Sequence, residues 1–526
     1  MNYVSPALLR GYASPEIVID SFAGGGGAST GIEMALEALQ RSGVVMKDTD
    51  VTIAINHNGA ALAMHQANHP ATIHMEADIW TVDPLSTTKG RPVGLLWASP
   101  DCRHFSPAKG SAPVSDSVRG LADVVAHWAE QVGPRIIFLE NVPEFQNWGP
   151  TIIGPKGKRI PDPKRKGQTF KRWVAKFRRL GYRVETRVLF ACDYGAPTIR
   201  KRLYIVMRRD GDPIVWPAPT HGDPLSPAVQ AGLRQPWRTA AEIIDWSLPC
   251  HSVLMDRDEG RQYKRDTGFT VIRPLAAATL GRIAAGVKRH VLDSSTPFIV
   301  TCNHAGDGFR GQSLEVPFKT VASARDAHGL VVPFITTYYG SRADGTNDRS
   351  SSMAEPLRTI TTEPRHGTVY AFMTSHHTND PHGVSVTGPL RTVTGIPKVD
   401  PVLVFSSEPP LTPEIEAKAR RVAEFLRAYG AWDGGEFVTV GDRIVYDIGM
   451  RMLTPRELAR AQGFPENYIL AAPYDGRVLS ESEQRHKIGN SVCPPVAKVL
   501  VEANYRPQTR PQERADQGWL FERAAA

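Results

Sequence analysis

The chain has 526 residues, 41% hydrophobic and 22% charged, with a formal net charge of +8. That length implies two or more domains with ample core, and the moderate basic excess is compatible with a polyanionic partner without requiring one. The five cysteines (Cys102, Cys192, Cys250, Cys302, Cys493) are scattered, odd in number and form no CxxC pair, which excludes a disulfide framework and a cysteine-based zinc site; with no signal peptide and no apolar run near 18 residues, a cytoplasmic, non-membrane protein is expected.

Residues 17–20 (IVID) form a short apolar run, followed by FAGGGGASTG and then IEMALEAL. This pattern predicts strand, glycine-rich turn and helix. VTIAIN (51–56) predicts a second strand and GAALAMHQAN a helix. VGLLWAS (93–99) predicts a buried strand, LADVVAHWAEQV (121–132) a helix and RIIFLENV (135–142) another strand. Strands alternating with helices predict an α/β fold with a parallel sheet. In FKRWVAKFRRL (170–180), Phe170, Trp173, Val174 and Phe177 share one helical face and the basic residues take the other. YRVETRVL then alternates as a strand.

After about residue 210 prolines and glycines multiply and helical periodicity is lost. Three related units open at Pro297, Pro333 and Ala371, with PFIVTCNHAGDG, PFITTYYGSRADG and AFMTSHHTNDPHG. They continue as VPFKTVASA, EPLRTITTE and GPLRTVTGI, and RPLAAATL (273–280) reads as a weaker partial copy. Two β-type runs around a polar loop in each unit predict a repeat-built β domain. Thr412 and Pro413 open a helix over 412–430, and TPRELARAQG (454–463) opens with the same pair. SVCPPVAKVLVEA predicts a final helix, and the polar tail after Asn504 is expected to be disordered.

Gly24 to Gly27 lie between strand and helix, where bare backbone and a helix N-terminus suit a nucleotide-like cofactor; a plain tight turn is the alternative. Cys102 stands in LLWASPDCRHFSP, at the end of a strand where a parallel sheet opens its ligand crevice. A free cysteine is more often a small buried hydrophobe. Here the Ser-, Pro- and Gly-rich segment that follows reads as a mobile lid. Glu140 ends another strand, so thiol and carboxyl could serve as nucleophile and proton donor. Arg200 and Arg202, in DYGAPTIRKR, bring anion binding to a third strand end.

In this order the pieces resemble the DNA (cytosine-5)-methyltransferase family: IDSFAGGGGASTG its cofactor loop, SPDC its nucleophile loop, ENV its acid motif and DYGAPTIRKR its Arg-x-Arg motif. LTPRELARAQGFP and KIGNSVCPPVAKVL look like its last two motifs. The resemblance covers roughly 1–208 and 450–503. It implies a doubly wound, mostly parallel, Rossmann-like methyltransferase sheet over 1–210, completed by 446–503. Residues 211–445 would form a second, β-rich target-recognition domain, its three repeats at about 297–404. It further implies that Cys102 adds to carbon 6 of cytosine, Glu140 engages ring nitrogen 3, and Arg202 with Arg200 steadies the adduct. S-adenosylmethionine would lie against Phe22, Ala23, Gly24 and Gly26, with Asn56 in the second-strand position. Asp78 and Ile79 would meet its adenine, and Asn490 and Ser491 would close the pocket. Arg103, Ser106, Lys319, Arg358 and Arg391 would contact DNA.

The sequence departs from the family pattern at four places. Asp101 and Arg103 flank the cysteine in place of proline and glutamine, Thr198 replaces a helper glutamine, and Asn56 replaces a ribose-gripping acid. Lys156, Lys158, Arg159, Lys164, Arg165 and Lys166 read either as a solvated loop or as phosphate contacts. The irregular spacing of His304, His328, His366, His376 and His377 predicts no metal site. Three functions stay open: methylation of double-stranded DNA by a monomer, with restriction-modification as its setting; RNA cytosine methylation; and a non-catalytic DNA-binding homologue. The large middle region speaks against the second, since duplex reading needs an added surface. Retention of Cys102, Glu140 and Arg202 speaks against the third.

Overall fold

The computed structural model describes residues 16–101 (except 47), 120–154, 159–293 (except 246 and 269), strand segments within 298–407, and 411–507 (except 441–442). Seven strands make its central sheet: β1 (Ile17–Ser21), β2 (Ile53–Asn56), β3 (Ile73–Glu76), β4 (Val93–Ala98), β5 (Ile136–Asn141), β6 (Arg183–Phe190) and β7 (Lys201–Arg208). Their order is β3-β2-β1-β4-β5-β7-β6. The first five are parallel, and β7 runs antiparallel to both β5 and β6. This is the mostly parallel α/β sheet expected from the alternating pattern.

Burial on both faces explains the uninterrupted apolar runs. Helices α1 (Gly27–Arg41), α2 (Gly59–Asn68), α3 (Leu121–Gln131) and α4 (Gln168–Arg179) lie between the strands in sequence. Val18, Leu95, Trp97, Ile136, Phe138 and Val206 pack with α1 on one side of the sheet. Their neighbours Ile17, Ile19, Leu96, Ile137, Leu139 and Ile205 pack against α3 and α4 on the other. The period of two places alternate side chains on opposite faces, as a doubly wound sheet requires. Trp97 and Phe138 are fully buried and stack with ring centroids 5.5 Å apart. Burying each such ring is worth roughly 2–3 kcal/mol. On α4, Trp173, Val174 and Phe177 are buried while Arg172, Arg178 and Arg179 face solvent.

The middle region contains an antiparallel sheet that includes Phe298–Thr301, His328–Leu330, Phe334–Thr337, His366–Ser375, Val399–Ser407 and Arg443–Met450. The openings of the three repeat-like units supply three of these strands. Val321–Ala322 and Thr392–Val393, from the second halves of the first and third units, pair in parallel. Two expectations fail here. Helices α5 (Arg257–Thr267) and α6 (Ala277–Val287) interrupt a stretch expected to lack helical order. RPLAAATL is therefore no partial β repeat: from Ala277 it is the first turn of α6, whose Ile283, Ala284 and Val287 join the core.

The C-terminal part returns to the sheet. Thr412 caps α7 (Pro413–Ala428), as its sequence predicts. Thr454 and Glu457 form a reciprocal capping box at α8 (Pro455–Gln462). After α9 (Glu481–Gly489), α10 (Pro494–Asn504) lays Val496, Ala497, Leu500 and Val501 against α1. The tail does not begin at Asn504: Tyr505 is buried, and residues 508–526 lie outside the described residues. No helix among the described residues is long and apolar enough to cross a membrane.

Candidate active site

β5 and β7 build the centre of the site. Antiparallel pairing sets Glu140 opposite Tyr204 and Asn141 opposite Leu203, so the start of β7 meets the end of β5. The Glu140 carboxylate forms an ion pair with Arg202 Nε at 3.1 Å, and Arg200 Nη2 lies 3.8 Å from the same oxygen. Glu140 and Arg200 are buried. Burial, with Arg202 beside it, lowers the pKa of the Arg200 guanidinium from its ordinary value. Arg200 also donates to the Gly489 carbonyl at 3.0 Å, tying the acid's surroundings to the end of α9. Thr198 is fully buried.

Cys102, Arg103 and Ser106 lie outside the described residues, as do Lys319, Arg358 and Arg391. The approach to Cys102 is described as far as Asp101. Asn141 Nδ2 donates to the Pro100 carbonyl at 3.1 Å and its Oδ1 accepts from Val142 N at 2.9 Å. Asn141 thus ties the cysteine-bearing segment to the strand end that carries Glu140. Two described thiols, Cys192 and Cys493, are buried. Burial pushes Cys493 up to about 12 and Cys192 well above its usual value, so both stay protonated.

The glycine-rich turn is held from two sides. Phe22 has a left-handed backbone (φ 66°), a strained state for a bulky residue at the mouth of a site. The Ala23 carbonyl accepts from Asn56 Nδ2 at 2.6 Å. A side chain at Gly24 would meet nothing within 4 Å, so this backbone faces open space. Gly26 (φ 90°) has no such room: a Cβ there would lie 2.0 Å from Tyr468 Oη. Gly27 N donates to Ser491 Oγ at 3.1 Å. Asp78 is exposed and accepts from Trp80 N at 3.1 Å, while Ile79 beside it is buried. Asn490 is exposed against His486, with its amide 3.2 Å from the ring. The turn thus offers a bare, preorganised backbone cradle, which fits a nucleoside cofactor. It brings Phe22, Ala23, Gly24, Gly26 and Asn56 together. Ser491 braces the turn's backbone through Gly27.

A family model for C-5 cytosine-specific DNA methylase matches residues 17–237 and 374–506. The chain belongs to this family. The matched segments hold Glu140, Arg200, Arg202, the glycine-rich turn and α8 to α10. The type II methyltransferase M.BspRI of Lysinibacillus sphaericus is 29% identical over 48% of this chain and 59% of its own length. M.AgeI of Thalassovita gelatinovora is 28% identical over 39% and 42%. The DNA (cytosine-5)-methyltransferase PliMCI of Paracentrotus lividus is 23% identical over 94% of this chain and 29% of its own. The chain spans about half the length of the first curated relatives it matches. A crystal structure of a Spodoptera frugiperda DNMT2 mutant aligns with TM-score 0.44 and 13% identity, over 93% of this chain and 99% of that one.

Sequence reasoning missed part of this site. Asn141 lies inside ENV, a motif read for its acid alone. Asp20, Ser29 and His65 form a buried chain under the turn. Ser29 Oγ donates to Asp20 Oδ2 at 2.8 Å, and His65 Nε2 lies 2.8 Å from that hydroxyl. The polar IDS and GAST residues carried a signal for this chain, but their partner His65 arrives from α2.

Proposed function

We propose that the chain is an S-adenosylmethionine-dependent enzyme that methylates carbon 5 of cytosine in double-stranded DNA. The observation that carries this reading is the ion pair of buried Glu140 with half-buried Arg202, 3.1 Å apart, at the strand end to which Asn141 ties Pro100. Cys102 follows two residues later in the sequence. Pyrimidine carbon 5 is a poor nucleophile, and addition of the Cys102 thiolate to carbon 6 makes it enamine-like. Glu140 takes ring nitrogen 3 and prevents charge building there, while Arg202 holds the carboxyl in place and faces the ring oxygen. Arg200 fixes this pair to the C-terminal segment.

When bound, S-adenosylmethionine supplies an electrophilic methyl group. Phe22, Ala23, Gly24 and Gly26 would hold it, Asp78 and Ile79 would contact its adenine, and Asn490 would close the rim. Water takes the carbon-5 proton, the 5,6 double bond re-forms, and the carbon 6–sulfur bond breaks to release the Cys102 thiolate. A base stacked in a duplex is out of reach, so the target flips into the crevice. Lys319, Arg358 and Arg391 in the middle region, with Arg103 and Ser106, would contact the surrounding duplex.

Methyl incorporation from labelled S-adenosylmethionine and a duplex gel shift, measured together, test this. Cys102→Ser loses incorporation and keeps the shift. Glu140→Gln lowers turnover by roughly 100-fold or more. Near wild-type turnover in Cys102→Ser would refute the assignment. Duplex containing 5-fluorocytosine traps the wild type covalently, because fluorine cannot leave as a proton does.

A further inference from the structure

We propose that Tyr468 is a positioning residue for the cofactor turn, held in place through His69 and Glu33; this rests on the reading of the turn as the S-adenosylmethionine site. The Tyr468 hydroxyl donates to the Gly25 carbonyl at 2.6 Å in a buried contact. It occupies the space that a side chain at Gly26 would need, which explains why a residue at φ 90° there must be glycine. Thr30 makes the matching bond, its hydroxyl donating to the Gly26 carbonyl at 2.7 Å. Two successive carbonyls of the turn are therefore pinned by hydroxyls from different parts of the chain.

His69 joins the two hydroxyls. Its Nε2 lies 3.2 Å from Thr30 Oγ1 and 3.5 Å from Tyr468 Oη. Its Nδ1 lies 2.7 Å from Glu33 Oε2, which fixes the ring's orientation.

The backbone of Tyr468 is fixed separately. Arg456 Nη2 donates to its carbonyl at 2.7 Å. Asn68 at the end of α2 grips the next residue with both atoms of its amide, donating to Ile469 O at 2.9 Å and accepting from Ile469 N at 2.7 Å. A ring that only filled space would need none of these bonds. Together they aim one hydroxyl at one carbonyl, so the turn keeps its binding shape before any ligand arrives and little ordering remains to be done on binding.

The test uses the full chain, calorimetry with S-adenosylmethionine and a duplex gel shift. Tyr468→Phe raises the cofactor Kd roughly five-fold, the worth of one neutral hydrogen bond, and leaves duplex affinity unchanged. In turnover the change falls on the cofactor KM, with kcat at saturation retained. Glu33→Gln keeps an acceptor for Val51 N but loosens His69. It shifts the Kd the same way, less strongly, and less again when Tyr468 is already Phe; it carries the test if Tyr468→Phe does not fold. Val422→Ala, in the core of α7, lowers stability and leaves the Kd alone. An unchanged Kd in Tyr468→Phe overturns the proposal. So does an equal rise in Val422→Ala, which would make lost stability the cause. Absence of cofactor binding by the wild type would instead overturn the cofactor reading itself.

Discussion

Asp20→Asn should change how the protein's stability depends on pH. Asp20 sits on β1 under the glycine-rich turn and is 1% exposed. Burial raises its pKa from 3.8 to about 7, with the Ser29 hydroxyl bond as the largest opposing effect. Its Oδ1 has no hydrogen-bond partner among the described residues. An acid whose folded pKa is raised favours folding in its protonated form. The stability it contributes is complete below pH 3.8 and is lost as pH rises through about 7. At ~1.4 kcal/mol per pH unit, the loss between pH 5 and pH 7 is at most about 3 kcal/mol. Asparagine is uncharged throughout and still offers an oxygen to Ser29. His65, whose pKa burial lowers well below the usual value, acts with the opposite sign in both proteins. The informative quantity is therefore the difference between variant and wild type. Urea unfolding followed by tryptophan fluorescence at pH 5 and pH 8 measures it, since Trp97 lies on the adjacent strand. Wild type should lose up to about 3 kcal/mol more than Asp20→Asn between the two pH values. Parallel pH profiles would show that the burial of Asp20 exerts no such effect.

Asn56→Glu should weaken S-adenosylmethionine binding in calorimetry. The family resemblance alone predicts a modest gain from a carboxylate, but Asn56 Nδ2 donates to the Ala23 carbonyl at 2.6 Å and a carboxylate would face that oxygen without a proton; tighter binding would refute the reversal. Arg358→Ala or Arg391→Ala should weaken duplex binding on every sequence and flatten the salt dependence by about one unit of slope if each arginine meets a phosphate. If either meets a base edge, preference at one site position should relax by roughly 1–3 kcal/mol, and unchanged affinity, slope and methylation pattern in both would assign them to scaffold.

Strand, turn and helix over residues 17–41 were legible because a parallel strand buried on both faces must be apolar throughout and a backbone cradle must be glycine. The α4 face of Trp173, Val174 and Phe177 and the caps at Thr412 and Thr454 were legible for the same kind of local reason. Two helices were not. α5 is charged on most sides, with Gly260 its one buried residue, so it shows no apolar stripe; α6 has a short one, Leu280, Ile283, Ala284 and Val287, set among alanines and glycines in a stretch read as non-helical. Glu140, Arg200 and Arg202 could be named as strand-end residues from the sequence alone. Their meeting at one carboxylate depends on β7 running antiparallel beside β5, and no local pattern encodes that register. Asn56 read as a lost acid until its amide was seen holding Ala23. Tyr468 stands 443 residues from the carbonyl it grips. Period, caps and turn residues record what a segment needs from its immediate neighbours. Which distant hydroxyl reaches a turn, and which acid is cut off from water, is decided when α1, α2 and the C-terminal segment close over the same strand ends.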